Sequence, residues 1–230
     1  IDASRTLSIQ VHPDAEVAAR LGGRPKSEAW YIMGVDPNAK LYLGLTPGTD
    51  AETLEAAIER GTVEHHVVDV TPSPGELYPV SPGTVHAIGA GVLLAEVQQP
   101  SDTTYRVHDW NRVGLDGRPR QLHVAEALQS IHYDARVAPV HGGEVELQLF
   151  TIDNRPLRPG EELRLDGEGP LVAVGLEGEC TLVLDGAPGV GCARGETVLL
   201  PHACRRATLR AGDGGPARAL LVTFPAQERA

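Results

Sequence analysis

The sequence predicts a mostly β protein. Many short strands joined by tight turns build two related barrels, with a few short helices between strands. Three observations predict this. Glycine and proline are abundant, at 26 and 18 of 230 residues, while aromatic residues are only 4 %, a profile suited to closely spaced turns more than to a helical bundle. Runs that alternate apolar and polar side chains recur along the chain, the period of a strand with one buried face. A faint repeat also links the halves. Gly75-Glu76 leads through a short run to Pro82-Gly83 and His86, and Gly195-Glu196 leads to Pro201 and then Arg205-Arg206.

Leu7 to Val11 alternates and reads as a strand. A turn-rich connection leads on to strands at Trp30 to Val35 and Leu41 to Leu45. Between Thr49 and Gly61 the period changes. Thr49 and Glu52 fit a capping box, Leu54, Ala57 and Ile58 form an apolar stripe, and Gly61 is a helix stop. Strand patterns return at Leu77 to Val80, Val85 to Ile88, Val92 to Val97 and Thr103 to Val107. Val124, Ala127, Leu128 and Ile131 have helical spacing, and Asp134 to Gly143 reads as a linker. Strands follow at Val145 to Ile152, Leu171 to Leu176, Cys180 to Leu184, Thr197 to Leu200 and Ala219 to Phe224. This organisation predicts one domain over residues 1–135, with helical insertions, and a second, degenerate barrel over 136–230.

A formal net charge of −11 makes nucleic acid and anionic membranes poor partners. A phosphorylated small molecule remains compatible, because a few local cations override the global field at short range. No apolar run reaches the roughly 18 residues of a membrane span. The chain opens on Ile1-Asp2-Ala3 without a methionine, which reads as a missing natural N-terminus. Cys180, Cys192 and Cys204 form no CxxC pair and read as reduced thiols of a cytoplasmic protein.

The chemistry concentrates near the start. Alternation puts Ser8, Gln10 and His12 on one face of the first strand and Leu7, Ile9 and Val11 on the other. Gln10 and His12 then stand roughly 7 Å apart along the strand, within reach of one ion. Glu28 precedes the Trp30 strand, and His86 follows the Pro82-Gly83 turn. Two imidazoles, a carboxylate and an amide oxygen would suit Zn²⁺, and also Mn²⁺, Fe²⁺ or Co²⁺. Singly, each residue has an ordinary alternative: a hydrogen-bonded strand histidine, a solvated carboxylate.

Four ordered motifs carry a family resemblance. Leu7-Ser8-Ile9-Gln10-Val11-His12-Pro13-Asp14 resembles the metal-binding strand of type I mannose-6-phosphate isomerases, members of the cupin superfamily. Lys26-Ser27-Glu28-Ala29-Trp30-Tyr31 is similar to their Lys-Thr-Glu-x-Trp-Tyr segment, with Ser27 keeping the hydroxyl. Pro82-Gly83-Thr84-Val85-His86-Ala87-Ile88-Gly89 resembles the turn and strand of a further ligand. The run from Gln98-Gln99-Pro100 through Thr103-Thr104-Tyr105-Arg106 to Asp109-Trp110-Asn111-Arg112 resembles the signature of the short bacterial form, with His108 where tyrosine is common. The resemblance covers about residues 1 to 133 well and the rest in outline. The family places several strands and a helix before the first motif.

The resemblance implies cupin-like β-barrel or jelly-roll units and one zinc ion on Gln10, His12, Glu28 and His86. It implies an aldose–ketose isomerase acting on mannose 6-phosphate and fructose 6-phosphate through a cis-enediol, with Arg106 as the catalytic arginine. Glu96, ten residues before Arg106 on a neighbouring strand, is the first candidate for proton transfer, or else an ion-pair partner of Arg106. Lys26 is a candidate for phosphate or substrate binding, and Ser8 for substrate contact. A monomer or homodimer is expected. The alternative is a non-catalytic sugar-binding or sugar-phosphate-binding cupin that retains the metal site. A redox cupin is disfavoured, since an amide oxygen at Gln10 suits a Lewis acid better than a redox iron.

Overall fold

A computed structural model describes residues 1–114, 117–167, 169–184, 186–204 and 206–224. The chain divides into two compact units, Ile1–Pro139 and Val140–Ala230, and both are built mainly of antiparallel strands. This is the mostly β architecture that the turn-rich sequence predicts, in the cupin-like form that the family resemblance implies. No helix among the described residues is long and apolar enough to cross a membrane.

In the first unit, strand β1 (Ile9–Val11) lies between β6 (His86–Ile88) and β8 (Tyr105–His108). Beyond β6 come β3 (Leu41–Leu45) and β4 (Val67–Val70). A second sheet carries β2 (Glu28–Val35) between β5 (Glu76–Val80) and β7 (Val92–Gln98). Ile9, Val11 and Val107 point away from the barrel, where they pack with Leu54 and Ile58 of helix α2 (Ala51–Arg60) and Ala127 of helix α3 (Val124–Ser130). The inward cluster joins Trp30, Ile32, Tyr78 and Leu94 to Leu41, Leu43 and Ile88. The strand alternation read at Leu7 to Val11 thus separates a helix-covered apolar face from a polar inward face.

Helix α1 (Ala15–Leu21) was not predicted and occupies the connection read as turns. At seven residues it offers too few periodic positions, yet Asp14 caps it by accepting from the Val17 N–H at 2.9 Å. The capping reading at α2 needs correction: Asp50, not Thr49, is the N-cap and accepts from the Thr53 N–H at 2.9 Å. The Thr49 hydroxyl meets that of Thr46 instead, at 2.9 Å. Gly61 ends the helix in the left-handed conformation, as predicted.

The second unit starts with β9 (Val140–His141), β10 (Gly143–Glu146) and β11 (Thr151–Leu157). The stretch read as a linker is free of strands over 134–139 but carries β9 and the start of β10 at its end, and the single strand read at Val145 to Ile152 is instead the end of β10 and the start of β11, joined by a turn. The later strands are β12 (Glu162–Asp166), β13 (Leu171–Glu177), β14 (Glu179–Leu184) and β15 (Val190–Ala193). They are followed by β16 (Thr197–Leu200), β17 (Arg206–Ala211) and β18 (Ala217–Thr223). They form two antiparallel sheets, ordered β10-β11-β18-β13-β16 and β12-β17-β14-β15. Leu157, Ala173, Leu182, Leu209 and Leu221 fill the core, together with the free thiols of Cys180 and Cys192.

The faint repeat has a physical basis. In Ser73-Pro74-Gly75-Glu76 the Glu76 N–H donates to Ser73 O at 3.2 Å, and Glu76 Oε2 accepts from the Ser73 N–H at 2.7 Å. Glu196 makes the same two bonds with Ala193, at 3.0 and 2.8 Å. Gly75 and Gly195 take φ of 94° and 84°, as the third position of a type II turn demands. A third copy at Arg158-Pro159-Gly160-Glu161, with 3.0 and 2.8 Å bonds, escaped the sequence comparison. Arg205, cited in the repeat, lies outside the described residues.

Candidate metal centre

β1 holds the start of the site because Gln10 is opposite His86 on one side and Arg106 on the other. His12, two residues on, turns to the same face. Across the barrel, Glu28 opens β2 opposite Val80 and Gln98. The two sheets thereby bring His12, Glu28 and His86 together, all nearly inaccessible to solvent at 1 % exposure. Their ligand atoms lie within 4.8 Å of one another, and they are the one such histidine, cysteine or carboxylate group among the described residues.

Both imidazoles are oriented from behind. His12 Nδ1 lies 2.9 Å from Thr103 O, and His86 Nδ1 lies 2.8 Å from Thr84 O. A backbone carbonyl only accepts, so each Nδ1 carries the proton and each Nε2 keeps its lone pair. Those lone pairs face Glu28: His12 Nε2 is 3.1 Å from Oε1, and His86 Nε2 is 3.6 Å from Oε2. The first contact lacks hydrogen-bond alignment, and both His12 Nε2 and Glu28 Oε2 are buried without a hydrogen-bond partner. Buried acceptors facing one another are costly unless a cation stands between them. The donor set therefore fits a divalent ion, with second-sphere carbonyls of the kind that fix ligating histidines.

Gln10 reaches the same point. Its Nε2 lies 3.4 Å from His86 Nε2, and its Oε1 accepts from the Ser8 hydroxyl at 3.1 Å. Lys26 is buried, and its Nζ sits 2.8 Å from Glu28 Oε1. Burial alone would push the Glu28 carboxyl up. The His12 and His86 imidazoles in their protonated form, together with the Lys26 ammonium, outweigh this and hold it well below the usual carboxylate range. Burial pushes the His86 imidazole down to about 4, against the pull of Glu28.

Glu96 stands opposite Trp30 on β7 and accepts from its Nε1–H at 3.0 Å. Burial, and then the charge of Glu28, raise its carboxyl above the ordinary value, while the Trp30 bond and Lys26 pull it back. The edge of the Trp30 ring packs on His86, with ring centroids 5.5 Å apart. The sequence reading placed Glu96 on a strand neighbouring Arg106, and this is corrected. Glu96 belongs to the β2 sheet, whereas Arg106 belongs to the β1 sheet, and the partner of Glu96 is Trp30.

Arg106 Nη1 donates to Gln121 O at 3.1 Å, and its Nε is buried without a partner. Burial and the neighbouring Arg120 lower its basicity. Both Arg112 and Arg120 grip the buried Asp109, Arg120 Nε at 2.6 Å from Oδ2. Trp110 packs against Tyr42 and His108 and donates to Leu7 O at 2.7 Å, a structural role. The Trp30–Glu96 contact joins residues 66 apart, and no local pattern signals it.

No family model matches the chain. It is 32 % identical over 215 residues to the mannose-6-phosphate isomerase ManA of Bacillus subtilis, covering 88 % of this chain and 67 % of that protein. The chain belongs to the mannose-6-phosphate isomerase family. A second member, the mannose-6-phosphate isomerase of Streptococcus mutans, is 38 % identical over 129 residues, which are 56 % of this chain and 40 % of that protein. The chain thus spans two thirds of one relative and less than half of the other. A crystal structure of the mannose 6-phosphate isomerase from Bacillus subtilis superposes with a TM-score of 0.79 at 26 % identity, covering 96 % of this chain and 72 % of that one. A zinc-bound mannose 6-phosphate isomerase shares the fold at 16 % identity, with a TM-score of 0.70 over 97 % of this chain and 77 % of that one.

Proposed function

We propose that this chain interconverts mannose 6-phosphate and fructose 6-phosphate, with one zinc ion held by Gln10, His12, Glu28 and His86. The observation that carries the proposal is the buried convergence of His12, Glu28 and His86, in which His12 Nε2 and Glu28 Oε2 have no hydrogen-bond partner. Family membership supports this choice of substrate. Gln10 would hold the ion through its amide oxygen, since the oxygen and nitrogen of an amide are exchanged by a half-turn of its last torsion.

When bound, the zinc ion supplies Lewis-acid stabilisation of negative charge on the enediolate oxygens. Lys26 fixes the Glu28 carboxylate and adds a buried positive charge beside the ligand cluster. Glu96 is the candidate for moving the proton between C1 and C2, since a carboxyl raised toward neutrality both gives and accepts a proton. Arg106 lies beside Gln10 across the β1–β8 pair, and its guanidinium would serve an oxyanion or the phosphate. Ser8 orients Gln10, and that contact favours a supporting role over the substrate contact expected from its position alone. The protein acts in the cytoplasm, as a monomer or homodimer, on a small sugar phosphate and without nucleic-acid or membrane partners.

A coupled isomerase assay with metal analysis, on wild type and His86→Ala, tests the proposal. Wild type is expected to carry about one zinc per chain and to turn over, and the variant to lose both. Zinc-loaded wild type that binds sugar phosphate without converting it would favour the non-catalytic reading. A variant that keeps its activity would overturn the ligand assignment.

A further inference from the structure

Glu28 and Lys26 are spaced two residues apart at the entrance to β2, and Ser27 between them points its backbone groups toward Gln99. Gln99 follows the last residue of β7, where the ladder would end with Gln98 opposite Glu28. Instead its backbone N–H donates to Ser27 O at 3.1 Å, and its side-chain Oε1 accepts from the Ser27 N–H at 2.7 Å. Both residues are buried. The side chain of Gln99 thereby supplies the rung that the backbone no longer provides, and Ser27 has both polar backbone groups satisfied by a single residue.

The residues that follow extend the brace. Ser101 Oγ donates to Arg24 O at 3.1 Å, and Thr103 Oγ1 accepts from the Arg24 N–H at 2.9 Å. Thr103 O takes the Nδ1 proton of His12 at 2.9 Å. Gly23 leaves room for this: a Cβ there would stand 2.8 Å from Thr103 Cγ2. One stretch, Gln99 to Thr103, thus ties the segment carrying Lys26 and Glu28 to the ring of His12, although these belong to different sheets.

We infer that Gln99 is a positioning residue of the metal centre: its side-chain oxygen fixes Ser27 and so sets where Lys26 and Glu28 meet His12 and His86. The inference rests on the proposed ligand set. Without that oxygen the buried Ser27 N–H has no acceptor, and the segment must move to find one. Displacing a carboxylate ligand weakens metal binding, and outer-sphere partners of metal ligands typically contribute 10- to 100-fold in affinity.

The test compares Gln99→Met, which keeps the length but removes the acceptor, with Gln99→Glu, which restores an acceptor oxygen. Zinc affinity is read by competition with a chelator, together with kcat, KM and the unfolding midpoint of the metal-free protein. Gln99→Met is expected to bind zinc about tenfold or more weakly and, when zinc-loaded, to lose kcat with KM little changed. Gln99→Glu is expected to recover most of both. A Gln99→Met protein with a lowered midpoint but wild-type zinc affinity and kcat would overturn the inference, since Gln99 would then serve stability alone. A Gln99→Glu protein as impaired as Gln99→Met would overturn the hydrogen bond as the cause. If Gln99→Met does not fold, Gln99→Asn carries the same test, because its shorter amide falls short of Ser27. Wild-type protein that binds no zinc would instead overturn the ligand assignment beneath it.

Discussion

His86 combines two environments that oppose each other. It is buried, which disfavours its charged form, and it faces the Glu28 carboxylate, which favours it. Burial wins, and the imidazole drops from 6.5 to about 4. The consequence for stability has a definite sign. Between those two values the unfolded chain binds the proton and the folded chain does not, so acid favours unfolding. The stability of the metal-free protein is therefore expected to be fully present above about 6.5 and to fall as pH drops toward about 4. Urea midpoints across this range check it, and His86→Gln is expected to flatten the dependence. An equally steep profile in the variant would assign the titration to another group. Among the site residues, only the shared face of Gln10 and His12 was legible from strand alternation. Glu28 and His86 joined them through motif resemblance, because their approach depends on the closing of two sheets. Gln99 had no signal of its own: its role is to replace a missing backbone rung, and no residue pattern encodes that.

At the level of elements, the turn before β6 is the most constrained part of the site. The Gly83 N–H donates to His12 O at 2.8 Å, and Gly83 O accepts from the His132 N–H at 2.9 Å. Gly83 has φ of 83°, and a Cβ there would lie 2.4 Å from the His132 ring. His132 itself is held by Asp14, the cap of α1, at 3.1 Å. Gly83→Ala is expected to cost about 1–3 kcal/mol from backbone conformation alone, with the clash in addition. Denaturant unfolding of the metal-free protein measures this, and a wild-type midpoint would show that the turn tolerates a side chain. Strand positions and the Gly-Glu turns were largely readable in advance, since each depends on neighbours a few residues apart. Helix α1 was missed because two turns give periodicity little to register. The short strands β12, β15 and β17 were missed as well, and they form one sheet with β14. β12 pairs with β17, and β15 and β17 pair with β14, so these cross-strand partners matter more than the short pattern of each strand.

For the molecule as a whole, the buried ligand set couples metal binding to folding. A ligand that binds only the folded state stabilises it by about 2.7 kcal/mol at a hundredfold excess over Kd. Zinc titration is therefore expected to raise the melting temperature progressively, and a strong chelator to reverse the rise. His12→Ala should abolish the shift, because Gln10, Glu28 and His86 alone form an incomplete set. A zinc-dependent shift of wild-type size in that variant would mean that the ion binds elsewhere.

The sequence by itself determined the mostly β architecture, the face shared by Gln10 and His12, and the motifs that carry the family resemblance. These follow from local rules: a side-chain period of two, glycine and proline at turns, and residue types at fixed spacing. Only the tertiary structure decided that Glu96 pairs with Trp30 instead of Arg106, that Lys26 is buried against Glu28, and that Gln99 and Thr103 brace two ligands at once. The Glu96–Trp30 pair and the brace by Gln99 and Thr103 join segments distant in sequence that meet only once the strands have paired, and Lys26 and Glu28, though near in sequence, are buried together only once the barrel has closed over them.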